Sequence, residues 1–314
     1  MKKNNTNNTQ ARFGAPKLGS LILRSSMLAL AIGAFVPSAQ ALVIRHDTET
    51  KAYENYGKWA RFTASCTIVR ANNQNHGISG STAIDRSWSV GARHTLRHVE
   101  TWMANGDGGA VIRGSKWNAY NGGGRVRWIR EITHYDDDFT RFSSTIDIAL
   151  AENWSENSAF KIALLGPAWD EVGRIGSGAS AANNRSDGNG NSRKGENEST
   201  SDSSTPREVR WAGRNTIDRK YGNSFNGSPS NSLLGTDLDH PTNASFSSAG
   251  GTSANTLEFG TAGGDSGSPL YYDKNGTIGY IGGVLSGGIG NGYGSQTVYV
   301  RIRPYRNWIL DTMN

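Results

Sequence analysis

Beyond residue 41 the chain alternates apolar and polar positions in short runs. That period of two belongs to half-buried strands and not to helices. Segments 62–69, 76–84, 87–92, 110–117, 124–135, 147–152, 208–218, 268–273, 278–287 and 297–302 all read this way, separated by Gly, Asn and Asp turns. Asp273-Lys274-Asn275-Gly276-Thr277-Ile278 holds an Asn-Gly hairpin turn between two of them. Only residues 303–314 read as helical, with Trp308, Ile309 and Leu310 as the packing face. So many short strands imply an all-β chain built as barrels or a sandwich. One stretch, 176–206, is polar and nearly free of large apolar side chains. Too little surface is available there to offset ordering entropy, so it is expected to be a flexible polar insertion.

The N-terminus reads as an export signal. Lys2, Lys3, Arg12, Lys17 and Arg24 form a basic leader without an acidic residue, Ser26–Val36 is a short apolar core, and Ala39-Gln40-Ala41 is a cleavage site. The core is too short to cross a bilayer. Cleavage after Ala41 would leave the protein secreted or periplasmic, with no stable membrane association. It would also change the charge. The formal +6, from 33 basic and 27 acidic residues, loses five basic ones, leaving 28 against 27. That near-neutral balance gives no reason to expect a nucleic acid partner. The single Cys66 excludes an intrachain disulfide and reads as a buried structural thiol.

Three segments carry chemistry. In Gly263-Gly264-Asp265-Ser266-Gly267-Ser268-Pro269, glycines flank a serine, so backbone N–H groups can turn toward a developing oxyanion. A serine nucleophile also needs a base. His94 follows the small residues of Ser89-Val90-Gly91-Ala92-Arg93 at the end of an apolar strand. Asp147 sits between Ile146 and Ile148, where a buried charge is costly unless something uses it. A histidine N–H is such a use. His98 reads as a surface residue, His134 as non-catalytic, and Asp136, Asp137 and Asp138 as a solvated turn.

The order His, Asp, Ser resembles that of the chymotrypsin-like (trypsin-like) serine proteases, in their bacterial secreted branch. "VGARHTL", "ITHYDDDFTRFSSTIDIAL", "AGGDSGSPL", "GVLSGG" and "TVYVRIRPYRNWI" resemble that family's blocks in the right order, from His94 to the C-terminus. The resemblance implies two six-stranded antiparallel Greek-key β-barrels with a short C-terminal helix. The protease domain would span 42–314, with barrels at about 55–157 and 158–314. It implies Ser266 as nucleophile, His94 as general base, Asp147 as its orienting carboxylate, and an oxyanion hole from the N–H groups of Gly264 and Ser266. Gly260 and Thr261 would form the floor and wall of the primary pocket, Ser286 would line the cleft near Asp147, and Gly287 and Gly288 would pair their backbone with an extended substrate. Protein or peptide substrates, a monomer, and neither cofactor nor metal are expected.

The chain departs from that family at several points. It lacks the disulfides, and in place of the usual Ile-Val-Gly-Gly terminus it has Leu42-Val43-Ile44-Arg45. Either signal cleavage exposes an apolar terminus that reaches Asp265, or Asp265 is held by another group and there is no zymogen. Gly260 brings no carboxylate to the pocket, and Leu285 stands where glutamate-specific relatives have His, so cleavage after uncharged apolar residues is expected. Two other readings are a catalytically silent relative that binds proteins through the same cleft, and an anion-binding turn in a β-rich adhesin or lectin. The second leaves His94 and Asp147 unexplained.

Overall fold

The structure, a computed structural model, describes residues 42–58, 64–70, 73–113, 125–135, 147–153, 164–165, 172–179, 186–191, 193, 210–221, 231–251, 253–274 and 277–314. The expected export signal lies outside them.

A short strand β1 (Val43–Ile44) leads to helix α1 (Thr50–Gly57). Next come β2 (Ser65–Arg70), β3 (Asn73–Ala83), β4 (Trp88–Gly91), helix α2 (Arg93–Ala104), β5 (Gly109–Arg113), β6 (Arg125–His134) and β7 (Ala149–Asn153). These six strands close into an antiparallel barrel in the order β2-β3-β4-β7-β6-β5. Alternation places Cys66, Ile68, Ala83, Ile129, Ala149 and Ala151 inside, with Leu96 and Val99 of α2 against them. Cys66 is buried, as expected of a structural thiol.

The remaining strands are β8 (Leu164–Leu165), β9 (Ile175–Ala179), β10 (Ser186–Asp187), β11 (Ala212–Thr216), β12 (Arg219–Tyr221), β13 (Leu233–Asp237), β14 (Phe259–Gly260), β15 (Pro269–Lys274), β16 (Thr277–Ile289) and β17 (Gln296–Arg301), followed by helix α3 (Arg306–Met313). The second sheet runs β11-β9-β15-β16-β17-β13-β12, with β8 parallel to β16. Among the described residues it therefore has eight strands where six were expected, and β8 and β12 are short additions of two and three residues. Val90, Ala92, Ile148 and Leu150 of the first barrel share one core with Tyr271, Val284, Val298 and Val300 of the second sheet and Ile309 of α3. This seam brings together the ends of β4, β7 and β16.

Three expectations are corrected. Residues 93–104 form a helix, so His94 lies in a first helical turn just past β4 and not at a strand's end. Leu96, Val99 and Met103 recur at three- and four-residue spacing and face the barrel. A second helix, α1, is anchored by tyrosines. Tyr53 Oη donates to the Glu258 carbonyl at 2.8 Å, and Tyr56 Oη bonds Ser177 Oγ at 2.7 Å. The polar stretch 176–206 is not a uniformly flexible insertion. Gly176–Ala179 form part of β9, and Ser186 and Asp187 pair in parallel with Val43 and Ile44. Its other residues, apart from 188–191 and 193, lie outside those described, as do Asn275 and Gly276 of the expected hairpin turn. Lys274 and Thr277 on either side are paired.

Behind β14 lies a group of buried carboxylates. Asp237 and Asp239 are 1% and 3% exposed and Glu258 is fully buried, while Asp218 faces Asp237. None makes an ion pair with Lys or Arg among the described residues. Burial first, then the neighbouring carboxylates, push Asp218 up to about 7 and Asp239 up to about 6. Burial likewise pushes Glu258 up to about 8. These folded values lie above the unfolded ones, so the folded state keeps protons that the unfolded chain has already lost. Stability is therefore full below the ordinary carboxylate range and falls as pH rises through 6 to 8. Thermal melts should show a lower Tm at pH 9 than at pH 5, with a shallower slope in Glu258→Gln. A Tm that rises across that range contradicts this account.

Candidate active site

Asp147 precedes β7 by two residues, and His94 follows β4 by three. The pairing of β4 with β7, Gly91 opposite Ala149, brings the two side chains together. The carboxylate clamps His94 at two points. Oδ1 accepts the backbone N–H of His94 at 2.8 Å, and Oδ2 bonds the ring Nδ1 at 2.6 Å. Ser286 Oγ, from β16, donates to the same Oδ2 at 2.7 Å. Burial alone raises a carboxyl pKa, but the His94 charge and these hydrogen bonds outweigh it and hold Asp147 below the usual range. An ionised carboxylate only accepts, so Nδ1 carries the proton and Nε2 keeps its lone pair. Burial lowers the His94 pKa, while the charge and hydrogen bond of Asp147 reverse that and raise it above the ordinary histidine value of 6.5. The side chain is still 45% exposed, so Nε2 can meet a substrate.

Ser266 sits in a loop fixed by backbone bonds to both sheets. Its carbonyl accepts the N–H of Gly80 in β3 at 2.7 Å. Gly267 N–H donates to the Leu285 carbonyl at 2.7 Å, and Leu285 N–H donates to the Ser268 carbonyl at 2.9 Å. A Cβ on Gly267 would lie 2.2 Å from the Gly80 oxygen and 3.1 Å from the Ala92 nitrogen, so only glycine fits. That close approach puts the serine beside the residue two before His94. No hydrogen bond joins Ser266 Oγ to His94 among the described residues, an ordinary condition before substrate tightens a site.

The residues before the serine form a tight turn. Asp265 N–H donates to the Ala262 carbonyl at 3.1 Å, and Gly264 has φ 98°. Positive φ at the third position marks a type II turn, which needs glycine there. No acceptor among the described residues takes the N–H of Gly264 or of Ser266. Donors left open in this way can serve a negative oxygen.

Asp265 is 1% exposed, and its Oδ2 accepts the backbone N of Leu42 at 2.8 Å. β1 then pairs Val43 with Gly260 and Ile44 with Phe259, so the first residues after Ala41 are hydrogen-bonded to the floor of the expected pocket. Of the two alternatives for Asp265, this is the contact expected of the first. Ser286, Gly287 and Gly288 lie on β16, where Gly287 pairs with Val298 and Gly288 with Thr297. Gly260 closes β14, and Thr261 Oγ1 bonds Thr297 Oγ1 at 3.0 Å. Sequence reasoning missed Gly80, Ser295 and Thr297. Thr297 was visible only as an alternating position of its strand.

The competitors fall elsewhere. His134 Nε2 bonds Glu100 Oε1 at 2.8 Å and ties β6 to α2. His98 is exposed, and Asp136, Asp137 and Asp138 lie outside the described residues. Among the described residues, no group of His, Cys, Asp and Glu has the make-up of a metal site.

The Ser286 hydroxyl is a positioning contact. Ser286→Ala should lower kcat/KM by about 10-fold, the scale of one hydrogen bond to a charged group. The pH profile of kcat/KM should show an acid limb, because only neutral His94 accepts a proton. Its midpoint should exceed 6.5, and a midpoint below that value would contradict the charged Asp147 partner.

The family model described as Trypsin matches residues 55–309. No curated protein matches the sequence. Among solved structures the chain is similar to neuropsin, described as a serine protease expressed in the limbic system of mouse brain. The identity is 15%, the TM-score 0.52, and the match covers 81% of this chain and 96% of that one. A likeness at that identity concerns the fold alone.

Proposed function

From the premise that the chain belongs to the trypsin family of serine proteases, we propose that it is a secreted serine endopeptidase of bacterial type that cleaves protein or peptide chains after an uncharged residue. The observation that carries this is the Asp147 carboxylate, which engages the His94 backbone, the His94 ring and Ser286 at once. It fixes the tautomer that leaves Nε2 free to take a proton. Ser266 Oγ attacks the scissile carbonyl as its proton passes to His94 Nε2. The carbonyl oxygen becomes an oxyanion facing the N–H groups of Gly264 and Ser266. His94 then protonates the leaving amine as the C–N bond breaks. Water, deprotonated in turn by His94, hydrolyses the acyl-enzyme.

Signal cleavage after Ala41 would complete the site without a separate activation cut. The Leu42 nitrogen already meets Asp265 Oδ2, and as a free ammonium it would neutralise that buried carboxylate. N-terminal sequencing of secreted, active protein tests this, and a terminus well beyond Val43 would sink it. The proteolytic reading is tested by adding the chain that starts at Leu42 to a denatured protein and measuring new α-amino groups. Release by the parent chain and none by Ser266→Ala is expected. A folded chain that binds the protein without releasing amino groups would instead be a silent relative.

A further inference from the structure

We propose that the primary pocket selects a side chain ending in a neutral carboxamide, glutamine or asparagine, in place of the apolar residue that the missing charge alone implies. This inference rests on the endopeptidase reading and names its substrate class. Three hydroxyls, of Thr261, Thr297 and Ser295, lie on or against the residues expected to form the pocket floor. Thr261 Oγ1 and Thr297 Oγ1 are bonded at 3.0 Å, with Thr261 9% and Thr297 2% exposed. Ser295 immediately precedes β17, in which Thr297 is the second residue. Gln296 between them donates to the Ser248 carbonyl at 3.4 Å. Ser295 Oγ lies 3.3 Å from where a Cβ on Gly260 would be, with Leu238 Cβ at 3.4 Å from the same point. The floor is therefore closed by a hydroxyl, set against an apolar side chain. Ser295 is 5% exposed, and its Oγ has no hydrogen-bond partner among the described residues.

The chemistry of the end group follows from this donor set. Three hydroxyls carry three protons, and the Thr261–Thr297 bond uses one. Two protons and several lone pairs remain. A carboxamide offers one oxygen to accept and one NH₂ to donate, and so can satisfy both kinds of group. An aliphatic end would bury the Ser295 hydroxyl against methyl groups and leave it unpaired. A carboxylate would bring a charge to a floor where Gly260, Thr261, Ser295 and Thr297 supply no cation. A site built to hydrogen-bond a substrate's polar group rejects the analogue that lacks it far more strongly than a greasy pocket rejects an extra methylene.

The test uses the chain starting at Leu42 and fluorogenic peptides that differ only in the residue before the scissile bond: Gln, Asn, Met, Leu, Glu or Lys. The Gln or Asn peptide should exceed the Met and Leu peptides in kcat/KM by at least about 10-fold. The Gln-to-Met ratio should collapse in Thr297→Val and in Ser295→Ala, and persist in Thr297→Ser, which keeps the hydroxyl. Faster cleavage of Met or Leu, or a ratio unmoved in Thr297→Val, overturns the inference. If a fluorophosphonate still labels Ser266 in that case, the endopeptidase reading stands without it. No cleavage of any peptide together with no labelling overturns both.

Discussion

Replacing His94 with alanine should lower kcat by about 10⁶-fold, the scale on which a serine protease loses turnover when its base is removed. The reason is local. Ser266 Oγ at its ordinary pKa is a weak nucleophile, and the neutral Nε2 of His94 is the base that the Asp147 clamp prepares. The fold should survive the change, because the side chain is 45% exposed and the Asp147 Oδ1 bond goes to the backbone N–H, which alanine keeps. Double replacement with Ser266→Ala should cost little more than either change alone, since the two groups act as one unit. Stopped assays on purified variants, with melts to confirm folding, measure both. A His94→Ala variant within about 100-fold of the parent would mean that another group is the base.

Asp265→Asn, or a chain that keeps residues before Leu42, should reduce kcat/KM by about 10²–10³-fold, the worth of one oxyanion donor. Asp265 is buried, and its carboxylate accepts the Leu42 nitrogen at 2.8 Å and the Ala262 N–H at 3.3 Å. The same residue closes the turn that holds Gly264 at positive φ. If the Leu42 nitrogen stays a neutral amide, the buried carboxylate loses the positive partner that a free ammonium would give it. The turn is then free to relax, and the Gly264 N–H leaves the oxyanion position. β1 also pairs with Gly260, so the pocket floor loosens with it. The loss should therefore appear in both kcat and KM. Full activity with residues 1–41 retained would show that Asp265 needs no ammonium.

The pairing of His94 with Asp147 was more legible in the sequence than the local structure around it. Ser266, His94 and Asp147 stand in short motifs whose residue types have few other uses together. The helix after β4 was misread because Val90, Gly91 and Ala92 run straight into it without a polar cap. Ala92 at its N-cap makes no side-chain bond. The apolar spacing of Leu96, Val99 and Met103 was there to be read. β9 was hidden for a packing reason. A Cβ on Gly176 would lie 2.6 Å from Leu270 Cδ1, and one on Gly178 would lie 2.3 Å from Phe259 Cζ. The neighbours supply the apolar bulk, so a buried strand is written in glycine and serine and reads as a loop. Asp187 shows another way in which polar sequence becomes ordered. Its carboxylate accepts the N–H groups of Asn189 and Asn191 at 3.0 Å and Arg193 Nε at 3.0 Å. The floor hydroxyls of Ser295 and Thr297 were out of reach, since their meaning depends on a register with Gly260 and Thr261 that no local pattern reveals.

The central claim is that Ser266 is a nucleophile made reactive by His94 and Asp147. The direct test is to treat the folded chain starting at Leu42 with a fluorophosphonate and locate the adduct by peptide mass spectrometry. The account predicts one adduct per chain, on Ser266, that is absent from His94→Ala. An unlabelled folded chain, or an adduct on another residue, would contradict it.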